Sequence, residues 1–254
     1  MTVADPLSAL RSSVNRLADL VRPLGEDVVR RAYPSAWTIA DVVSHVGSSG
    51  VIMQRRLDNA FAGRDMPDDF AEGVWAEWNA KAAEAKAADG LAVDDAFMSR
   101  LESLGSDAQS AVSVRLGPLT FDWETFVLTR LNEHLLHEWD VAVTLDPSAT
   151  LAADGVVYVI DNLDLIARYT AIPIAPERTL TIATTAPGRS FTVTIATKIV
   201  EFSPSDSIAE PDLRMPAEAF IRLVYGRLDG EHTPPSVDGD PDAVEQLRQV
   251  FPGP

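Results

Sequence analysis

A chain of 254 residues with 38 acidic against 21 basic side chains, a formal net charge of −17, repels nucleic acid and anionic membranes, because both are held by Lys and Arg neutralising phosphates. It has no cysteine, which excludes disulfides, a cysteine nucleophile and thiolate metal sites, so any soft sulfur chemistry has to come from a ligand. No run of about 18 apolar residues offers a membrane span, and the first residues, Met1 to Pro6, lack the basic flank and apolar stretch of a signal peptide. The expectation is a cytoplasmic protein, long enough for one large domain or two of ordinary size.

Helical periodicity dominates to about Asp146. Asp5-Pro6, acid then proline, is good start chemistry for a helix running through Leu17, Leu20 and Val21 to Pro23. A second helix begins at Thr38, carries an apolar stripe of Ile39, Val42, Val43 and Val46, and ends near Gly63. The Ala-rich stretch from Phe70 to Ala87 predicts a third, and Asp94 to Ser110 another. Asp122 to Leu145 follows, with Val127, Leu128, Leu131, Leu135 and Trp139 on one side. Long helices with short connections predict an up-and-down, antiparallel helical bundle.

Asp146-Pro147-Ser148 is the best boundary, dividing the chain into 1–147 and 148–254. Beyond it a helix is predicted from Ala152 to about Tyr169. The period then changes: Thr179 to Thr184 and Ser190 to Ala196 alternate and are rich in β-branched residues, and the turn residues Ala186 to Arg189 between them predict a hairpin. A third short strand covers Lys198 to Phe202. Met215 to Arg227 and Asp240 to Phe251 return to helix. The fold class is therefore a two-domain α+β chain, with a bundle first and then a small α/β domain whose sheet is mainly antiparallel.

The four histidines are His45, His134, His137 and His232. Glu133 and His137 lie four apart on one predicted helix, hence on one face, and can grip one ion together. His45 sits on a different helix, and bundle cores assemble metal sites from facing helices. Two imidazoles and a carboxylate leave coordination positions open, as catalysis requires. The same helix also offers His134 and Glu138 at the same spacing. Projected at 100° per residue, the two pairs flank opposite edges of the apolar arc, and periodicity does not choose between them. Solvated or hydrogen-bonded side chains on an ordinary amphipathic helix are the plain alternative to either.

Trp37-x7-His45, followed some ninety residues later by Glu133-x3-His137-x-Trp139-Asp140, resembles the DinB-like metalloprotein superfamily, and more narrowly the mycothiol-dependent maleylpyruvate isomerases and their mycothiol S-transferase relatives. Ala217 to Arg227 and Val237 to Pro241 are similar to the α/β carboxy-terminal domain those enzymes carry, so the resemblance covers nearly the whole chain. It implies His45, Glu133 and His137 as ligands of Zn²⁺ or another divalent metal, with His134 and Glu138 at no ligand position. It further implies mycothiol as an external low-molecular-weight thiol, activated as thiolate for transfer to, or cis-trans isomerisation of, a small electrophile. The competing classes are a metal- or small-molecule-binding protein without turnover and a metal-dependent hydrolase using water.

Arg227, in Tyr225-Gly226-Arg227, matches a Gly-Arg element of the second domain and is the candidate catalytic and cofactor-binding arginine, through bidentate contact with a carboxylate. The plain alternative is an arginine placed near a helix C-terminus by the dipole. Arg130, one turn before Glu133, is the other candidate cofactor or anion contact, with a structural ion pair as its alternative. Asp140, one turn after His137, is expected either to accept from a ligand histidine or to anchor the helix. Trp37, Trp139 and Tyr225 are expected to pack in the core, and His232 to be exposed. There is no phosphate-binding glycine loop, dinucleotide fingerprint, basic aromatic patch or Gly-x-Ser-x-Gly elbow.

Overall fold

The computed structural model describes residues 5–33, 36–117 and 119–253, and its contacts divide the chain into two compact units, Met1–Ala149 and Thr150–Pro254. In the first unit, α1 (Pro6–Val21) starts where Asp5 accepts a hydrogen bond from the Ser8 amide, and a 3₁₀ segment (Arg22–Val29) follows it. α2 (Ile39–Phe61) is fixed by a reciprocal cap: Thr38 Oγ1 accepts from the Asp41 amide and Asp41 Oδ2 accepts from the Thr38 amide. Lys86 pairs with the other Asp41 oxygen at 2.8 Å.

The Ala-rich region is two helices, not one. α3 (Phe70–Asn79) ends at Ala80, and α4 (Ala83–Glu102) begins three residues later. Alanine favours helix throughout and carries no stop signal. The break is tertiary: Trp78 is buried with Ile52 and Val74, and Lys81 stacks on its ring at 4.0 Å. A short α5 (Ser106–Ser110) precedes an antiparallel pair, β1 (Val114–Leu116) and β2 (Leu119–Phe121), which helical periodicity did not reveal. α6 (Trp123–Leu145) begins at the Asp122 cap.

Within this unit α2 packs along α4 and α1 along α6. The α2–α4 crossing is glycine-lined. A Cβ on Gly47 would stand 2.7 Å from Gly90 Cα and 2.8 Å from the Trp78 ring, and one on Gly90 would stand 2.6 Å from the Val43 carbonyl oxygen. Only glycine permits that approach.

In the second unit, the expected single helix after Ala152 is α7 (Ala153–Val159) and α8 (Leu163–Thr170), separated by a 3₁₀ turn. β3 (Arg178–Thr185) and β4 (Ser190–Ile195) form the expected hairpin, and β5 (Val200–Pro204) continues it. Met215 and Pro216 were expected to begin a helix; they end β6 (Leu213–Pro216), which pairs parallel with β3, and α9 (Ala217–Val224) follows it. Four residues with Leu213 and Met215 alternately buried are too short to distinguish from a helical lead-in. β7 (Asp238–Gly239) pairs antiparallel with β6, giving a mixed sheet of order β5-β4-β3-β6-β7 in which only β3–β6 is parallel. α10 (Pro241–Val250) closes the unit. Its core centres on Phe191, Phe202, Phe220 and Phe251. Among the described residues, no helix is long and apolar enough to cross a membrane.

Candidate metal centre

His45 lies two turns into α2, and Glu133 and His137 lie one turn apart on α6. The structure brings these three together: one donor atom from each falls within 4.8 Å of the others. Glu133 Oε2 is 3.4 Å from His45 Nε2 and 3.8 Å from His137 Nε2. Two donors about 2.1 Å from a shared tetrahedral ion sit about 3.4 Å apart, so this donor set matches one zinc-sized ion with little movement.

The electrostatics suit a cation. His137 Nδ1 donates to Asp140 Oδ2 at 2.9 Å, which fixes the ring and leaves Nε2 facing Glu133. Burial pulls the His137 pKa below its ordinary value against the opposing pull of Asp140, so the ring is neutral and its lone pair is available near pH 7. Burial raises the Glu133 pKa, but the hydrogen bond with His45 and the surrounding positive field outweigh it and hold the carboxyl at about 2, hence ionised. The Glu133 side chain remains 46% exposed, so the cluster is open to ligand on that side.

Trp37 is a correction. It does not join the core; it is 39% exposed and lies over the site, its ring centroid 5.1 Å from that of His45 and 6.0 Å from that of His137. The loop before α2 holds it there: the Trp37 carbonyl accepts from the Ala32 amide at 2.9 Å, and the Ile39 amide donates to the Arg30 carbonyl. Trp139 is buried as expected, edge-on to Tyr33, with its indole N–H donated to the Ala149 carbonyl.

His134 and Glu138, the competing pair, belong to a separate buried network. His134 Nε2 meets Asp94 Oδ2 at 2.6 Å and Nδ1 meets Ser13 Oγ at 2.8 Å, while the Ser13 hydroxyl donates to Glu138 Oε2 and Arg16 pairs with Glu138 Oε1. Both ring nitrogens of His134 are thus engaged inside this network, and neither is left for a metal. The Asp94–His134–Ser13 connectivity has the order of a hydrolytic triad. Ser13 is wholly buried, however, and its proton already has an acceptor, so no substrate carbonyl reaches it. Asp94 was not singled out in the sequence, where it only opens a predicted helix.

Arg130 is enclosed at 1% exposure, bonded through Nη2 to Asp94 Oδ1 (2.6 Å) and to the Val46 carbonyl (2.9 Å). The structural ion pair is therefore present. Arg227 lies in the second unit, buried, with Nη1 donating to the Tyr225 carbonyl at 3.1 Å. Tyr225 is buried, and His232, expected to be exposed, is half-buried against Asp229.

The mycothiol maleylpyruvate isomerase N-terminal domain matches residues 10–142, which include all three clustered residues. The chain belongs to that family. The crystal structure of the mycothiol-dependent maleylpyruvate isomerase superposes on it with a TM-score of 0.63 at 12% identity, covering 92% of this chain and 95% of that one, and so shares the fold of a family member across both units. No curated protein matches the chain by sequence.

Proposed function

We propose that this protein is a divalent-metal-dependent enzyme of the mycothiol-dependent maleylpyruvate isomerase type, which adds mycothiol to a small electrophile and either eliminates it after rotation about the former double bond or releases the adduct. The observation that carries this reading is the convergence of His45, Glu133 and His137 within 4.8 Å in a chain of that family. Two imidazoles and a carboxylate fit Zn²⁺ and leave room for an exogenous ligand. A free thiol has a pKa of about 8.5 and is mostly protonated at neutral pH, and a bound zinc ion supplies charge that favours the thiolate.

The chain's own residues prepare this chemistry. Asp140 holds the His137 Nδ1 proton and so turns Nε2 toward the site. Glu133 stays ionised and offers its oxygens from the open side. Trp37 shields the two imidazoles from water on one face. Arg130, locked to Asp94, contributes its positive field to Glu133 from behind. Arg227 is our candidate for contacting a carboxylate of the substrate or thiol. The units Met1–Ala149 and Thr150–Pro254 then correspond to a DinB-like bundle and the family's carboxy-terminal domain, working in the cytoplasm where a low-molecular-weight thiol is kept reduced.

The test is metal analysis of protein purified without chelator, joined to an assay of maleylpyruvate isomerisation with and without mycothiol. Stoichiometric zinc and thiol-dependent turnover, lost in His45→Ala, are expected. Metal without turnover on a panel of electrophiles would instead indicate a binding protein, and thiol-independent activity a hydrolase.

A further inference from the structure

Three turns beyond His45, the far end of α2 borders a cleft of about 800 Å³, bounded also by the segment after α2 and by the β1–β2 pair. Eleven residues of helix separate Arg56 from His45, about 16 Å along the axis, so this is not the histidine cluster. Three arginines line it, Arg56, Arg64 and Arg115, against two aspartates, Asp65 and Asp68, in a chain whose net charge is −17.

Arg56 is the informative residue. It is half-buried, Nη1 donates to the Arg115 carbonyl at 3.2 Å, and Nε is shut off from solvent with no hydrogen-bond partner among the described residues. No carboxylate among the described residues pairs with it, although acidic side chains outnumber basic ones nearly twofold. Burial alone depresses its pKa, whereas Arg11, held by Glu102 and Asp95, is raised. A shielded guanidinium without an anion is unfavourable unless something completes it.

Helix capping does not account for these arginines. Cations are favoured at a helix C-terminus, but the last α2 carbonyls are already taken by backbone: Asp58 by the Ala62 amide, Asn59 by the Arg64 amide and Ala60 by the Gly63 amide. Arg115 is only loosely held, 3.6 Å from Asp65 with both side chains more than 70% exposed, and Arg64 is exposed. The Ser113 and Thr120 hydroxyls also line the cleft.

We infer that this cleft binds a small oxyanion, a phosphate or a carboxylate, gripped by Arg56, Arg64 and Arg115. The guanidinium fork matches either group through two parallel hydrogen bonds. The site is independent of the metal reading, because none of its residues belongs to the histidine cluster.

Calorimetric titration of the full-length, metal-free protein at low ionic strength with inorganic phosphate and with succinate tests it. One of the two anions is expected to bind saturably. Arg56→Gln and Arg115→Gln should each weaken that binding about tenfold or more, and His45→Ala should leave it unchanged. Tighter phosphate binding identifies a phosphorylated ligand class, and tighter succinate binding a dicarboxylate class. Arg115 is exposed, so its variant keeps the test valid if Arg56→Gln fails to fold by circular dichroism. Absence of saturable heat from both anions, undiminished affinity in the folded arginine variants, or loss of binding in His45→Ala would each overturn the inference.

Discussion

Asp140 touches nothing outside the protein, yet it decides which way His137 faces. Its carboxylate is buried and accepts the Nδ1 proton at 2.9 Å, so the tautomer and the ring angle are set before any ligand arrives. Removing such a partner in known metal sites costs about 10–100-fold in affinity. Asp140→Ala is expected to weaken zinc binding by that order, measured by competition with a chromophoric chelator, while far-UV circular dichroism stays native. Equal affinity in the variant would leave Asp140 as a helix anchor only. At this scale the sequence was half legible. Spacing put Glu133 and His137 on one face but treated His134 and Glu138 the same way, and only the resemblance separated the pairs. What separates them physically is Ser13 and Asp94, which occupy both nitrogens of His134 and lie 121 and 40 residues from it. No local pattern encodes a partner at that distance. Trp37 was misread for a related reason: it precedes the Thr38 cap, where helical projection no longer says which way a side chain points.

At the scale of elements, capping and apolar stripes located α1, α2 and α6 closely, because their start signals are local chemistry: Asp5, Thr38 and Asp122 each accept from an amide of the first turn. The break between α3 and α4 and the strand β6 were not legible, since each depends on what packs against it. The glycine crossing of α2 and α4 carries a sharper consequence. Gly47 is two residues from His45, and a methyl group there would collide with Gly90 Cα and Trp78. Gly47→Ala should destabilise the protein by about 1–3 kcal/mol, as overpacking does, read from urea unfolding. Because α2 must roll or lift to accept the methyl, metal affinity should fall in the same variant. A stability loss with unchanged affinity would show that the strain is relieved through α4 instead.

For the whole molecule, the hydrophobic period changes beyond Asp146, and the contacts separate at Ala149. The sheet is mainly antiparallel, as expected, but its one parallel pairing, between β3 and β6, was not foreseen, because it leaves no mark on either strand's alternation. The buried network also predicts how the protein meets acid. Burial raises the Asp94 pKa, but the charges of His134 and Arg130 and their hydrogen bonds prevail, and the carboxyl is held below its ordinary 3.8. The folded state therefore takes up this proton less readily than the unfolded chain. The network's stabilisation is complete above the ordinary carboxylate range and drains away as pH falls below about 4. Asp94→Ala leaves Arg130 and His134 buried without their counter-charge, at a cost of about 3–5 kcal/mol at neutral pH. The variant should also lose part of the acid sensitivity seen in thermal melts of the parent.

His45 and Glu133 stand 88 residues apart in a protein that has no cysteine. An ion gripped by both would act as a rivet between two helices, closing that span of chain into a ring and narrowing the unfolded ensemble much as a disulfide does. Unlike a disulfide, the rivet is reversible and its strength is set by supply: at a free ion concentration a hundred times the dissociation constant it would add about 2.7 kcal/mol to the folded state. The melting temperature should then climb with added zinc and drop with chelator, making the endurance of this protein a readout of the metal status of its surroundings.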